Sequence, residues 1–144
     1  MNHYSFEDIK IGLSESYSVK ITSDMMDSFR EISGDINPLH NDSEFAKEHG
    51  FDDRVVYGML TSSFLSTLAG VYLPGEKSLI HEVDVKFKKP VFVGDVLTVK
   101  GEVSDINPDF KVFTMKVTMT DQNDEKVLRG SMRIGFLKKA SRRI

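Results

Sequence analysis

A helical period marks residues 23 to 33, where apolar side chains recur at i, i+4 and i+7: Met25, Phe29 and Ile32. This spacing places the three side chains on one face of an α-helix. Thr22 or Ser23 can cap its first turn, and Gly34 predicts its end. A short strand is predicted just before it, over residues 16 to 21.

The most apolar helical segment runs from Gly58 to about Val71. Its apolar residues leave no wide charged face, so this helix is predicted to be buried: Met59, Leu60, Phe64, Leu65, Leu68, Ala69 and Val71. The run Leu73-Pro74-Gly75 predicts its end. A shorter helix is predicted before it, capped by Asn41 or Asp42 and running to about Glu48.

After residue 75 the apolar period changes from helical to two. Apolar and polar residues alternate in segments that begin near Val83, Leu97, Phe113 and Leu128, which predicts strands with one buried face. Turn signals separate the segments at Gly94-Asp95, Asn107-Pro108-Asp109 and Asp121-Gln122-Asn123-Asp124. The pattern predicts an antiparallel, meander-like sheet after a helical first half, which is an α+β arrangement.

Composition limits the classes of function. At 144 residues the chain fits one domain, predicted to span residues 1–144. A net charge of −3 gives no signal for nucleic acid, and the basic C-terminal end is expected to be solvated: Lys138, Lys139, Arg142 and Arg143. Zero cysteines exclude disulfides and thiol nucleophiles. The chain has no signal-peptide pattern and no apolar run that could cross a membrane, so we expect a cytoplasmic protein.

One acid and one base stand five residues apart in the segment FREISGDINPLHNDSEFA: Asp35 and His40. On a continuous helix they would point about 140° apart. Gly34 and Pro38 disfavour a continuous helix and predict a loop that turns both side chains inward. The carboxylate could then hold a water while the imidazole exchanges a proton near neutral pH. The alternative is structural, with an Asp that caps a turn and a His that satisfies it.

This segment resembles, in residue type and spacing, the hydratase motif of the MaoC-like (R)-specific enoyl-CoA hydratases. The matching residues are Phe29, Ile32, Ser33, Gly34, Asp35, Asn37, Pro38, Leu39, His40 and Ala46. Val56-Tyr57-Gly58-Met59-Leu60 is similar to the start of the family's central helix, and PVFVGD at 90–95 to its later strand-entry motif. The resemblance spans roughly residues 5 to 136. It implies a single hotdog fold, in which an antiparallel sheet wraps around a buried central helix.

The resemblance also implies a reaction of fatty acid metabolism: reversible hydration of a trans-2-enoyl-CoA to an (R)-3-hydroxyacyl-CoA, without a cofactor or a metal. Asp35 and His40 would bind the water and move the protons. The backbone N–H of Gly58, unpaired in the first turn of its helix, would donate to the thioester carbonyl as it becomes enolate-like. The alternative is a glycine needed only for close packing.

Three further residues are candidates for the substrate site. Asn37 shapes the segment before Pro38, because the residue before a proline is held out of the α region. Tyr57 stands where many members of the family carry His, and it could line the acyl pocket or simply pack. Ser66 lies two turns into the central helix, where the family often has a small polar residue in the acyl pocket.

Two other functions stay open, a hotdog acyl-CoA thioesterase and a non-catalytic acyl-thioester-binding homologue. The run Asp-x-Asn-Pro-x-His favours the hydratase. The expected partner is an acyl-CoA or an acyl-carrier thioester, of a chain length that the sequence does not fix. We also expect a homodimer, because one hotdog sheet leaves an edge strand and an apolar surface open, and edge-to-edge pairing would cover both. The resemblance adds that the CoA site uses both protomers.

Overall fold

The computed structural model of the protein describes residues 1–140. In this part of the chain the strands are β1 (Ser14–Lys20), β2 (Ser78–Phe87), β3 (Val96–Asn107), β4 (Val112–Thr120) and β5 (Lys126–Phe136). The helices are α1 (Ser23–Ser33), α2 (Pro38–Asn41), α3 (Ser43–Glu48) and α4 (Gly58–Thr67), and Leu68–Tyr72 continues α4 as a π-helical turn. The predicted strand before α1, the helix that ends at Glu48 and the central helix are confirmed.

Neighbouring strands pair antiparallel in the order β1-β3-β4-β5-β2. The predicted meander is confirmed for β3, β4 and β5. It is wrong for β2, which pairs with β5 and forms one edge of the sheet. The turn at Gly94 is present, but the connection over residues 88–95 does not make a hairpin, because β2 pairs with β5 while β3 pairs with β1 and β4. Within this connection Val91 is buried, and its carbonyl accepts the N–H of Val56 at 2.8 Å.

The inner face of the sheet and α4 share one apolar core. Alternate residues of β3 and β4 are buried, as the period of two predicted, and Leu65 and Leu68 extend the core to the helix. The layers approach closely at Gly101 in β3, where a Cβ would lie 3.1 Å from Cδ2 of Leu68. Burial of this apolar surface holds α4 against the sheet. Met59 is the exception, because its side chain is 66% exposed.

Helix α1 begins and ends where the sequence predicted. The Thr22 side chain accepts the N–H of Met25, and Gly34 ends the helix with φ of 73°, a left-handed conformation that suits glycine. Ile32 shares a helical face with Met25 and Phe29 by its spacing, but its side chain is 84% exposed. Ile32 stands in the last turn, about 120° around the helix from the buried Met26.

Among residues 1–140, no helix is long and apolar enough to cross a membrane. Lys138 and Lys139 of the basic C-terminal end are exposed. Arg142 and Arg143, which belong to the same predicted solvated end, lie outside the described residues.

Candidate active site

The segment between α1 and α3 carries both candidate proton-transfer groups. The side-chain oxygen of Asn37 accepts the N–H of Leu39 at 3.0 Å, and Pro38 is the first residue of α2. Proline suits this position, because an N–H there would have no helical partner in any case. The prediction of a loop through His40 is therefore wrong. Helix α1 ends at its cap residue Gly34, and Pro38 begins the short helix α2 that carries His40.

The imidazole of His40 is oriented by a backbone carbonyl. Its Nδ1 atom lies 2.7 Å from the carbonyl oxygen of Val55. A carbonyl oxygen only accepts, so in the neutral ring Nδ1 carries the hydrogen and Nε2 carries the lone pair. The ring also packs on that of Tyr57 in a tilted arrangement, with ring centroids 4.3 Å apart. Neutral His40 is thus held as a proton acceptor through Nε2.

His40 and Gly58 line one pocket of about 340 Å³. The other residues of its wall are mainly apolar: Phe51, Val55, Val56, Thr61, Phe87, Lys88, Lys89, Pro90, Val91 and Val127. Gly58 is the first residue of α4, so its N–H has no partner inside the helix and lies at the positive end of the helix dipole. A carbonyl oxygen bound by this N–H would therefore lie in the same pocket that His40 lines.

Gly58 is also tightly packed. A Cβ at this position would lie 3.0 Å from Cε1 of Phe87, the last residue of the edge strand β2. This is closer than most real Cβ contacts. Close packing by itself therefore accounts for a glycine here, and the donor role of its N–H stays a prediction.

Asp35 is exposed and is not among the residues of the pocket wall. Its Oδ1 atom accepts the N–H of Asn37 at 3.0 Å, and within residues 1–140 its Oδ2 atom has no hydrogen-bond partner. Its backbone carbonyl accepts the hydroxyl of Tyr57 at 2.7 Å. Because the same tyrosine packs on His40, both predicted proton-transfer residues contact Tyr57.

Tyr57 lies behind the pocket wall. It is only 1% exposed, and its ring also packs on Phe29, at a centroid distance of 4.8 Å. The amide of Asn41 donates to the Tyr57 hydroxyl at 3.2 Å and accepts from Nη1 of Arg30 at 2.9 Å. Sequence reasoning missed Asn41 and Arg30 as site residues. The only sequence feature that pointed to either residue was the position of Asn41 directly after His40.

The other predicted site residues lie outside the pocket wall. Ser66 is exposed on α4, and Asn37 contributes the cap of α2. Their roles in substrate binding stay predictions. Among residues 1–140, no group of three or more His, Asp or Glu side chains could hold a metal ion.

One lysine of the pocket wall is held by carboxylates. Lys89 pairs with Glu125 and with Asp121, and the hydrogen bond to Glu125 is the main cause that raises the pKa of Lys89. Burial opposes ionisation of Asp121, but hydrogen bonds from the backbone N–H groups of Glu125 and Asn123 and from Lys89 outweigh it and lower the pKa of Asp121. These contacts fix the β4–β5 turn against the connection that lines the pocket.

A larger open groove, of about 580 Å³, lies near the other end of β2 and is lined in part by Lys77, His81 and Phe110. It contains no residue of the segment from Asp35 to His40. The smaller pocket combines His40 with the start of α4, so it is the better candidate for the site.

Sequence comparison identifies relatives over most of the chain. The family model described as MaoC like domain matches residues 6–126. A 3-hydroxybutyryl-CoA dehydratase of Methylorubrum extorquens is 34% identical over 134 residues, which cover 93% of this chain and 85% of that protein. An (R)-specific enoyl-CoA hydratase of Rhodospirillum rubrum is 36% identical over 118 residues, which cover 82% of this chain and 81% of that protein.

Comparison with solved structures gives the same result. The (R)-hydratase from A. caviae involved in PHA biosynthesis superposes with a TM-score of 0.87 at 30% identity, covering 91% of this chain and 99% of that one. The five-stranded antiparallel sheet of residues 1–140, with α4 packed on it, defines a hotdog protein, and the predicted fold is confirmed. The chain belongs to the MaoC-like domain family, as the Asp35–His40 segment indicated.

Proposed function

We propose that this protein catalyses the reversible hydration of a trans-2-enoyl-CoA to an (R)-3-hydroxyacyl-CoA. The observation that carries the proposal is one pocket in which an oriented His40 faces the same space as Gly58 at the start of α4. The names of the relatives support it, since they are an (R)-specific enoyl-CoA hydratase and a 3-hydroxybutyryl-CoA dehydratase.

The backbone N–H of Gly58 stabilises the negative charge that develops on the thioester oxygen in this reaction. When the water oxygen bonds to C3 of the substrate, the electrons of the double bond move toward the thioester, and its oxygen becomes enolate-like. The free N–H at the start of α4 donates to that oxygen in a pocket with mainly apolar walls, where such a bond is strong. The charge then returns to C2 as that carbon is protonated.

Asp35 and His40 move the proton. Neutral His40 offers the Nε2 lone pair, and the Asp35 carboxylate offers Oδ2, so each can bind one hydrogen of the same water. The pair takes a proton from the water as its oxygen bonds to C3 and returns a proton to C2. It therefore ends each turnover in its starting protonation state. Dehydration runs the same transfers in reverse, and the two groups act as a coupled pair.

Incubation of the pure protein with crotonyl-CoA tests the proposal. We expect the enoyl absorbance to fall without release of free thiol, and the product to be (R)-3-hydroxybutyryl-CoA by chiral chromatography. Release of free CoA would indicate the thioesterase. Binding of the thioester without any change in absorbance or thiol, on this and a longer enoyl-CoA, would indicate the non-catalytic homologue.

The acting species is proposed to be a homodimer joined through β2. This strand is an edge of the sheet, and apolar side chains on it are open to solvent, including Val83 at 46% and Phe87 at 53% exposure. A second copy that pairs with β2 would satisfy its free backbone groups and cover these side chains. Because Phe87 also lines the pocket, such pairing would complete the pocket wall.

The substrate is carried on CoA or on an acyl-carrier protein, and the protein acts in the cytoplasm. The chain acts as one domain over residues 1–144, which is supported by a single apolar core that includes residues from Ile9 to Ile134.

A further inference from the structure

Tyr57 is the point at which the elements of the candidate site meet. It directly precedes Gly58, its hydroxyl reaches the Asp35 carbonyl, and its ring lies on His40. Of the three proposed catalytic residues, Asp35 is hydrogen-bonded to Tyr57, His40 packs on its ring, and Gly58 follows it in the chain. Its burial excludes a direct contact with solvent, and it is absent from the pocket wall.

The hydrogen bonds of the Tyr57 hydroxyl have a fixed direction. The Asp35 carbonyl only accepts, so the hydroxyl donates to it, and its lone pair is left for the Asn41 amide. Asn41 Nδ2 also donates to the Asn37 carbonyl at 2.9 Å, while Oδ1 accepts from Arg30. The orientation of the amide follows, because guanidinium only donates and a carbonyl only accepts.

This network holds Asp35 by its backbone and leaves part of its carboxylate open. The Tyr57 hydroxyl fixes the carbonyl, and the Asn37 N–H fixes Oδ1, so Oδ2 keeps its free position. The ring of Tyr57 supports His40 from the side, while Val55 holds Nδ1. Asp35 and His40 stand on different elements, and Tyr57 is the buried group in contact with both.

We propose that Tyr57 is a positioning residue that sets the spacing between the Asp35 carboxylate and the His40 imidazole. The proposal rests on the hydration function assigned to that pair. Loss of the hydroxyl would release the segment before α2 while the ring continues to fill the core. Proton transfer depends steeply on such spacing, because a misplacement of about 1 Å can cost ~10²-fold in rate.

Tyr57→Phe tests the hydroxyl, and Tyr17→Phe is the matched control. Tyr17 also donates its hydroxyl to a backbone carbonyl, that of Phe64 in α4, at 2.6 Å, and it also stacks on an aromatic ring, that of Tyr72. Both variants lose a hydrogen bond to a backbone carbonyl, and Tyr57→Phe also loses the bond from the Asn41 amide. We expect Tm to fall in both variants, but a fall in kcat of roughly tenfold or more only for Tyr57→Phe, with KM on crotonyl-CoA little changed.

Hydrogen exchange gives a second readout that does not need activity. The Asn37 amide bonds to the Asp35 carboxylate, so its exchange rate reports whether that side chain stays in place. We expect faster exchange of this amide in Tyr57→Phe than in wild type or Tyr17→Phe. If the wild type hydrates no enoyl-CoA, the proposed function fails. Exchange at the Asn37 amide still shows whether Tyr57 positions Asp35.

The positioning role is overturned if Tyr57→Phe keeps wild-type kcat, if Tyr17→Phe loses as much kcat, or if exchange at Asn37 is unchanged.

Should Tyr57→Phe fail to fold, Asn41→Ala replaces it. That variant removes the amide that donates to the Tyr57 hydroxyl but keeps the tyrosine. A smaller fall in kcat with faster exchange at Asn37 is then expected, and wild-type values for both would contradict the proposal.

Discussion

The Nδ1 atom of His40 lies 2.7 Å from the carbonyl oxygen of Val55, the residue two positions before Tyr57. This bond fixes the neutral tautomer of the ring, and it connects α2 to the chain that enters the central helix. A proton acceptor is most useful when its lone pair points in one direction, and here a backbone atom provides that orientation.

We predict that His40→Gln and Asp35→Asn each lower kcat on crotonyl-CoA by at least ~10²-fold, because each removes a positioned proton-transfer group. The fold should persist, since the Asn oxygen can still accept the N–H of residue 37 where Asp35 now does. Turnover measured beside thermal unfolding checks both points.

A matched control for His40 is available in His49. Its Nδ1 also lies 2.7 Å from a backbone carbonyl, that of Phe45, and its ring stacks on the Phe45 ring, but it is exposed and lies outside the pocket. His49→Gln should keep wild-type turnover. If His40→Gln or Asp35→Asn keeps more than about a tenth of the wild-type rate, its residue is wrongly assigned, given the usual size of such effects.

Gly58→Ala is predicted to lower kcat/KM by ~10²-fold or more. Alanine keeps the backbone N–H, but its methyl group would hold the thioester oxygen away from that donor, which should cost as much as losing one donor to a developing oxyanion. The added Cβ would crowd both the carbonyl site and the ring of Phe87, its nearest neighbour at 3.0 Å. Gly70→Ala is the control, because there the nearest atom to a Cβ is 3.9 Å away. Enoyl-CoA kinetics and Tm are measured for both variants.

The double variant Gly58→Ala/Phe87→Leu separates two causes of that loss. If the contact with the Phe87 ring is the only problem, the smaller side chain should restore activity. Loss of activity in both variants is expected if the space beside the Gly58 N–H is needed by the thioester. Full activity of Gly58→Ala would mean that the thioester carbonyl does not bind beside the Gly58 N–H.

Val83→Lys is predicted to weaken the proposed dimer, because it places a charge in the middle of the exposed apolar side chains of β2. Light scattering of the wild type should give about twice the chain mass of 16.3 kDa, and the variant should shift toward the single-chain mass. Ile11→Lys serves as the control, since Ile11 is exposed but lies outside the sheet. A wild-type mass near that of one chain at micromolar concentration would refute the dimer.

Asp121→Asn is predicted to lower the free energy of unfolding at neutral pH. The folded state lowers the pKa of Asp121, so its ionised form contributes stability above the unfolded pKa of about 3.9, and this contribution disappears as the pH falls through the lower folded value. Denaturant unfolding at pH 7 and near pH 3 should show a difference from wild type that shrinks on acidification. Asp52→Asn, at an exposed carboxylate, is the control. A difference that is unchanged or larger at low pH would contradict the assignment.

Local signals in the sequence predicted local structure well. Thr22 and Gly34 marked the ends of α1, and Asp42 marked the start of α3, because caps and left-handed turns depend on a few neighbouring residues. The same locality explains the error at His40. Pro38 is compatible both with a loop and with the first turn of a new helix, and nearby residues alone do not decide between them.

The pairing of β2 with β5 and the exposure of Ile32 could not be predicted in this way. Alternation along a strand shows which face is buried but not which strand lies beside it. The spacing of Met25, Phe29 and Ile32 gave one helical face, but the extent of that face covered by the core depends on what packs against α1.

The sequence by itself determined the family and most of the helices and strands, and it supplied the hypothesis that Asp35 and His40 are the acid and base of the site, because these follow from short-range spacing and from a long matching motif. Only the tertiary structure decided that His40 shares a pocket with Gly58, and that Tyr57 joins Asp35 to His40. These contacts bridge residues 15 to 22 positions apart along the chain. They exist because the sheet and α4 bring those segments together in one core, and that packing is a property of the whole chain.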